Sequence, residues 1–392
     1  MAKSNLWTPE FLGMSLSSFF QYMTHYALIA ALPIFVIDFL QGNDWEAGLA
    51  MTFFQIGAVL CRPLAGKWID QFNRRKMALG ALGSFLAISC LYLAVHNLVS
   101  LLAVRLLHGA IFAIGTTTVA AMAALALPAE RKGEGIGYFA MFSSLAMVVG
   151  PFFSLLLSSR YPFPVLFAGC VVLALLSLWC GTRQNPGVFD GKTSEKQSAP
   201  LTWNSFIEPK ALPMALSGGL LFFAYSGVLV FIPLYAKQLG LSGFTSAFFA
   251  VFALVIVLTR PLVGRLFDQA GAKMVVYSGL LLFGTGLIAL SQVQGLYGFL
   301  AAAVLIGGGF GAVSPAFQTL AIQHSPVRRA GVATATYFLA LDISVGLGSF
   351  FLSAVAAQAG YPVMYLMAAF MIGMTAAVFY RIEAGEAVIR PQ

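Results

Sequence analysis

Long apolar runs separated by short polar stretches recur from about residue 11 to residue 380. A helix needs about 20 apolar residues to cross the roughly 30 Å hydrocarbon core of a bilayer. Twelve runs reach that length, at about 11–40, 46–66, 77–95, 98–126, 134–157, 162–181, 211–238, 244–264, 274–293, 296–322, 331–358 and 361–380. Helices are expected because backbone polar groups in lipid must be satisfied within the segment. A membrane barrel would instead show alternating segments of about 10 residues. The opening MAKSNLWTPEF leads straight into a run too long for the apolar part of a cleavable leader, so the first span is expected to stay.

The longest polar stretch, residues 183–210, divides the runs six and six and reads as a linker between halves 1–182 and 211–392. Within it GVFDGKT, residues 187–193, falls one residue short of a phosphate-loop spacing and follows no strand, so it gives an ATP-driven pump no support.

Composition agrees with this pattern. The chain is 59% hydrophobic and 9% charged, with a mean hydropathy of +0.87. That is too little polar surface to face water. The net charge of +8 is a topology signal: the basic residues after spans 2, 4, 6, 8 and 10 include Lys67, Arg74, Arg75, Lys76, Arg131, Lys132, Arg183, Lys210, Arg265, Lys273, Arg328 and Arg329. The odd-numbered connections carry only Arg160 and Lys237. The excess of Lys and Arg on cytoplasmic loops places both termini in the cytoplasm and the chain in the cell's inner (plasma) membrane. Cations scattered over short loops do not make a nucleic-acid-binding face. Cys61, Cys90, Cys170 and Cys180 lack metal-ligand spacing and read as small buried hydrophobes, so neither metal nor cofactor is expected.

The sequence also repeats itself. A shift of 198 residues lays Arg62-Pro63-Leu64, Gly66, Asp70 and Gln71 on Arg260-Pro261-Leu262, Gly264, Asp268 and Gln269. It also lays Pro128, Arg131, Gly133 and Gly150 on Pro326, Arg329, Gly331 and Gly348. Two similarly oriented six-helix halves follow, a design found in secondary transporters.

Residues Gly66 to Lys76, GKWIDQFNRRK, resemble the signature loop of the major facilitator superfamily, G-x-L-x-D-R-x-G-R-[RK]. Trp68, Gln71 and Asn73 depart from that pattern, and Asn73 can take the left-handed backbone that Gly would. The resemblance implies a conformational latch in which the Asp sits against the N-terminus of helix 11. Its residues would be Gly66, Asp70, Arg74 and Arg75, echoed by Gly264 and Asp268. Only Lys273 stands where the first copy has Arg74-Arg75-Lys76, so the main latch is expected at the first copy. Arg105-x-x-His108-Gly109 is similar to the R-x-x-Q-G pattern of proton-coupled members. Gly137, Ala146, Gly150-Pro151 and Ser154 follow the span-5 packing spacing of the drug:proton antiporters.

Ionisable residues inside a membrane are functional candidates by default. Asp342 lies near the middle of span 11 on a face shared with Gly346 and Ser349. It reads either as a reversibly protonated carboxylate or as one side of a static ion pair with Arg62 or Arg105. Arg105 and His108 share a face of span 4 with Phe112 and Thr116. Tyr22 and His25, with Tyr26 beside them, mark span 1. The family's arrangement implies that spans 1, 4, 7 and 10 line a central cavity, which adds Tyr225 and Gln318 to the proton and substrate pathway. Either His could titrate near neutrality or serve as a neutral hydrogen-bonding group.

These residues imply an all-α membrane protein of two pseudo-symmetric six-helix bundles, working as a monomer by alternating access. The activity expected is export of small amphipathic or drug-like molecules in exchange for protons. A dedicated metabolite exporter (sugar, amino acid or opine-type metallophore) and proton-coupled uptake stay open. The acid/base or nucleophile cluster of an enzyme is missing from the sequence.

Overall fold

The computed structural model describes residues 6–42, 44–158, 160–182 and 206–389. The phosphate-loop near miss and most of the linker, residues 183–205, lie outside the described residues. Ten separate long helices come first: α1 (Pro9–Ile34), α2 (Asp44–Gln71), α3 (Arg74–Leu91), α4 (Leu98–Leu125), α5 (Lys132–Ser158), α6 (Phe163–Thr182), α7 (Leu212–Gln238), α8 (Thr245–Ala270), α9 (Ala272–Ser291) and α10 (Leu296–Gln323). A final helical run, Ala330–Ile389, carries the last two membrane-length spans, α11 (residues 330–359) and α12 (residues 361–389). Gly360 interrupts that run with φ 83°, where the sequence places the break between spans 11 and 12. Twelve helices are thus long and apolar enough to cross a membrane, and the described residues contain no strand.

Local chemistry sets the helix starts. The Thr8 side chain accepts from the Phe11 N–H at 3.2 Å, with Pro9 and Glu10 opening α1. Asn97 and Ser100 form a reciprocal capping box on α4.

The signature stretch differs from its expected form. Gly66 to Gln71 belong to α2, and Arg74 to Lys76 form the first turn of α3, so the connection is reduced to Phe72 and Asn73. Asn73 is extended (φ −61°, ψ 115°), not left-handed, and its side chain accepts from the Lys76 N–H at 3.0 Å. It caps a helix where Gly would only turn the chain. In the second copy α8 runs through Ala270, and Gly271 at φ 87° makes the turn into α9. The apolar pattern stopped short at Gly66 because a charged residue ends a hydrophobic run without ending a helix, whose backbone bonds are indifferent to side-chain charge.

The described chain forms two compact units. The first comprises residues 1–129, 142–208 and 326–336, and the second residues 130–141, 209–325 and 337–392. The first turns of α5 and α11 therefore group with the opposite half of the sequence. In the first unit α2 packs along α4, α1 against α6, and α3 against α4 and α6. In the second α10 packs with α9, α8 and α7. Glycines permit the closest approaches: Gly109 lies against the Phe54 carbonyl, and Gly57 against Leu106 and Ala110. Leu60, Phe152, Leu281 and Phe350 are large apolar side chains left exposed, as lipid-facing residues must be.

Candidate functional site

Both copies of the repeated phrase end on the same structure. Asp70, near the end of α2, accepts the Gly331 N–H at 3.0 Å through Oδ1 and the Val332 N–H at 3.0 Å through Oδ2. Asp268, near the end of α8, accepts the Gly133 N–H at 3.1 Å and the Glu134 N–H at 2.9 Å in the same way. Each carboxylate thus satisfies two of the four backbone donors orphaned at a helix start and meets the positive end of the helix dipole. Gly66 lies against Gly331 and Val332, and Gly264 against the Glu134 backbone, at distances no side chain would allow.

The surroundings of the two caps differ. Arg74 and Arg329 add positive charge beside Asp70, and Arg75 opens α3 with a covered Nε that finds no hydrogen bond. Near Asp268, buried Glu134 pairs with Arg131 at 2.9 Å and Arg265 at 3.4 Å. The expected ranking of the copies finds no counterpart in the carboxylates themselves, which make equivalent bonds. The second copy lacks the Arg74-Arg75-Lys76 cluster, yet Glu134 gathers two arginines there.

Sequence reasoning missed Glu134, and also Glu208. Glu208 is buried, pairs with Arg329 at 2.9 Å and donates its N–H to Thr336 Oγ1 at 2.9 Å. Arg329 also donates to the Ile207 carbonyl at 3.2 Å. The end of the segment before α7 is thereby fastened beside the Asp70 cap. The available signal was an acid, Glu208, at the very edge of the polar stretch that precedes α7.

A second constellation lies inside the first unit. Arg105 and His108 are fully buried on α4. Arg105 Nε donates to the Ala50 carbonyl at 2.9 Å, Nη2 approaches the Met51 sulfur at 3.4 Å, and the guanidinium stands 4.4 Å over the Phe54 ring. His108 Nδ1 lies 2.9 Å from the Tyr92 hydroxyl. The ring of His25 stacks on Phe54 at 4.5 Å and on Phe112 at 4.7 Å. Tyr22 meets Phe112 edge-on at 5.2 Å and stacks on Tyr26 at 6.2 Å. The polar stripes of α1 and α4 therefore pack face to face, and Phe54 of α2 joins them. Thr116, further along α4, accepts from Arg62, whose Nη1 donates to Thr116 and Thr117 at 2.9 and 3.1 Å. Gly150 lies against Met23 and Tyr26, next to Pro151 inside α5.

In the second unit Tyr225 of α7 is buried and stacks on Phe310 of α10 at 4.1 Å. Gln318 is buried one and a half turns before the end of α10. Gly137 and Gly264 help line a small cavity with Arg260, Pro315 and Thr319. Asp342 is partly exposed on α11, and nothing lies within 4 Å of where a Gly346 side chain would begin.

Of the cysteines, Cys170 and Cys180 are buried, Cys61 is partly so, and Cys90 is exposed on α3, contrary to the expected burial. Its mixed character lets a thiol face lipid as readily as core. The described residues contain no cluster of three metal-ligating side chains.

Comparison with known proteins adds four findings. The family model described as Major Facilitator Superfamily matches residues 14–349 and 246–388. The chain is 22% identical over 364 residues to the staphylopine export protein of Staphylococcus aureus, covering 88% of this chain and 89% of that protein. It is 25% identical over 391 residues to the uncharacterized MFS-type transporter YhhS of Escherichia coli K12, covering 93% and 90%. The crystal structure of the human organic anion transporter MFSD10 (TETRAN) superposes with a TM-score of 0.79 over 94% of this chain and 98% of that one, at 15% identity.

Proposed function

Because the chain belongs to the major facilitator superfamily, and is thus a multi-pass membrane transporter, we propose that it works by alternating access and exports small amphipathic or drug-like molecules in exchange for protons. The observation that carries this reading is the pair of carboxylate caps at Asp70 and Asp268. Hydrogen bonds to a charged group are each worth about 1.5–3 kcal/mol net. A cap of two such bonds holds one conformation without locking it. Inward movement of one proton across about 150 mV supplies roughly 3.5 kcal/mol, which is the right size to shift an equilibrium held by such caps.

Asp342 is the proposed proton carrier. It sits about 12 residues, or about 18 Å at 1.5 Å per residue, beyond the start of the helix at Ala330. That depth is near mid-membrane, on a face shared with Gly346, where nothing lies within 4 Å of an added Cβ. The charge pattern of the loops supports a plasma-membrane location with both termini cytoplasmic. The relative named as an exporter favours a second reading, a dedicated metabolite exporter.

Proteoliposomes with an imposed pH gradient test the proposal. The wild-type chain should accumulate a lipophilic substrate against its gradient, and Asp342→Asn should abolish that accumulation while substrate still binds. Proton-driven accumulation retained by Asp342→Asn would exclude Asp342 as the carrier.

A further inference from the structure

Arg105 is wholly buried in the first unit, and none of its contacts among the described residues is an acid. They are a backbone carbonyl, a thioether sulfur, an aromatic face and the Tyr92 side chain. Its Nη1 is covered and has no hydrogen-bond acceptor. A guanidinium cannot relieve this by losing its proton, and a buried charge without an opposite partner is strongly unfavourable.

Two further nitrogens in the same cluster share the condition. His108 Nε2 and His25 Nδ1 are covered and make no hydrogen bond. Arg105 hydrogen-bonds the Tyr92 hydroxyl and can only donate to it; this assigns the hydroxyl proton to His108 Nδ1 and the ring proton to Nε2, a donor in search of an acceptor. The charged or titratable groups that act on His25 are Arg105 and Arg62, and those that act on His108 are Arg105 and His25. Among the described residues, the fixed charges that act on the two histidines are therefore positive. Its walls are the rings of Phe54, Phe85 and Phe112.

We propose that Arg105, His108 and His25 form a carboxylate-binding site, and that the transported molecule is a carboxylic acid whose apolar part lies against these phenylalanines. This rests on the reading of the chain as an exporter with its substrate path along these residues, and it narrows the class of molecule carried. Arg105 carries the cation that lies against the cluster, with the His108 N–H beside it, and this matches a monoanion. A phosphate dianion would bring a second charge, and the other cation acting on the cluster, Arg62, donates to Thr116 and Thr117 instead. A carboxylate offers two oxygens to the arginine fork and the imidazole N–H, the geometry in which Arg binds most strongly. His25, Tyr22 and Tyr26 are only partly buried, whereas Arg105 and His108 are fully so. The approach is therefore along α1, with Arg105 at the floor.

The test uses the purified full chain in detergent, with no gradient, and follows thermal unfolding with added benzoate, its neutral counterpart benzamide, inorganic phosphate at matched ionic strength, and tetraphenylphosphonium. Benzoate alone should raise the unfolding temperature saturably. Arg105→Gln should weaken benzoate binding at least tenfold, and His25→Phe several-fold. Should Arg105→Gln fail to fold, the wild-type ligand series and His25→Phe still decide the matter. Equal stabilisation by benzamide or phosphate, or undiminished benzoate binding in a folded Arg105→Gln protein, would overturn the site. No response to benzoate together with pH-driven transport of tetraphenylphosphonium removes the carboxylate site and leaves the export reading standing. Benzoate binding without any pH-driven transport does the reverse.

Discussion

Asp70 and Asp268 stand 198 positions apart and do the same work, each bridging two consecutive N–H groups at the start of a helix. An amide in place of either carboxylate keeps one acceptor, turns an NH2 toward the other donor and removes the charge that the helix dipole favours. Each change should weaken its cap by about 1–3 kcal/mol. Asp70→Asn and Asp268→Asn should therefore both increase labelling of cysteines introduced near the cytoplasmic ends of the helices, to a similar extent, and the double variant should exceed either. A response confined to Asp70→Asn would mean that the basic cluster at Arg74 and Arg75, and not the carboxylate cap, holds the latch. The repeat made both carboxylates visible in the sequence. The resemblance implied the Asp70 cap on helix 11, and the structure added its counterpart, Asp268 on the start of α5.

At the scale of elements, the contact between α2 and α4 is made possible by two glycines. A methyl group on Gly109 would run into the Phe54 carbonyl, and one on Gly57 into Leu106, both backbone atoms that cannot step aside. Gly109→Ala should lower the unfolding temperature in detergent, by a free energy of about 1–3 kcal/mol if the helices shift to accommodate it. Gly80 on α3 has nothing within 4 Å of its missing Cβ. Gly80→Ala should leave the temperature unchanged or raise it, by up to about 1 kcal/mol through helix propensity. Equal effects at the two positions would show that the close α2–α4 approach does not limit stability. Both glycines look alike in the sequence, since an isolated Gly in an apolar run does not say whether a backbone or a lipid lies opposite. The two ends of the signature phrase were misplaced for a related reason: polarity marks the membrane surface, whereas α2 continues past it to Gln71.

For the whole molecule, the loop charges make a prediction about sidedness. In a background with Cys61, Cys90, Cys170 and Cys180 replaced, Ser194→Cys in the linker should react with a membrane-impermeant reagent only from the cytoplasmic side. Tyr161→Cys, at an exposed position between α5 and α6, should react only from the outside. The opposite pattern would reverse the orientation and with it the assignment of the caps to the cytoplasmic face.

Hydrophobic run length by itself determined that twelve helices cross the membrane, because lipid leaves a backbone no other way to satisfy its polar groups across some 30 Å. The internal repeat added the two halves and the paired Asp residues. Only the tertiary structure decided which polar groups meet. It brought Tyr92 to His108, Glu208 to Arg329, Thr116 to Arg62 and Arg105 to the Ala50 carbonyl. Helix periodicity places a residue on a face, but its partner is set by which helix packs there, at what depth and rotation. Those are properties of close packing between segments distant in the chain, and no local pattern of residues encodes them.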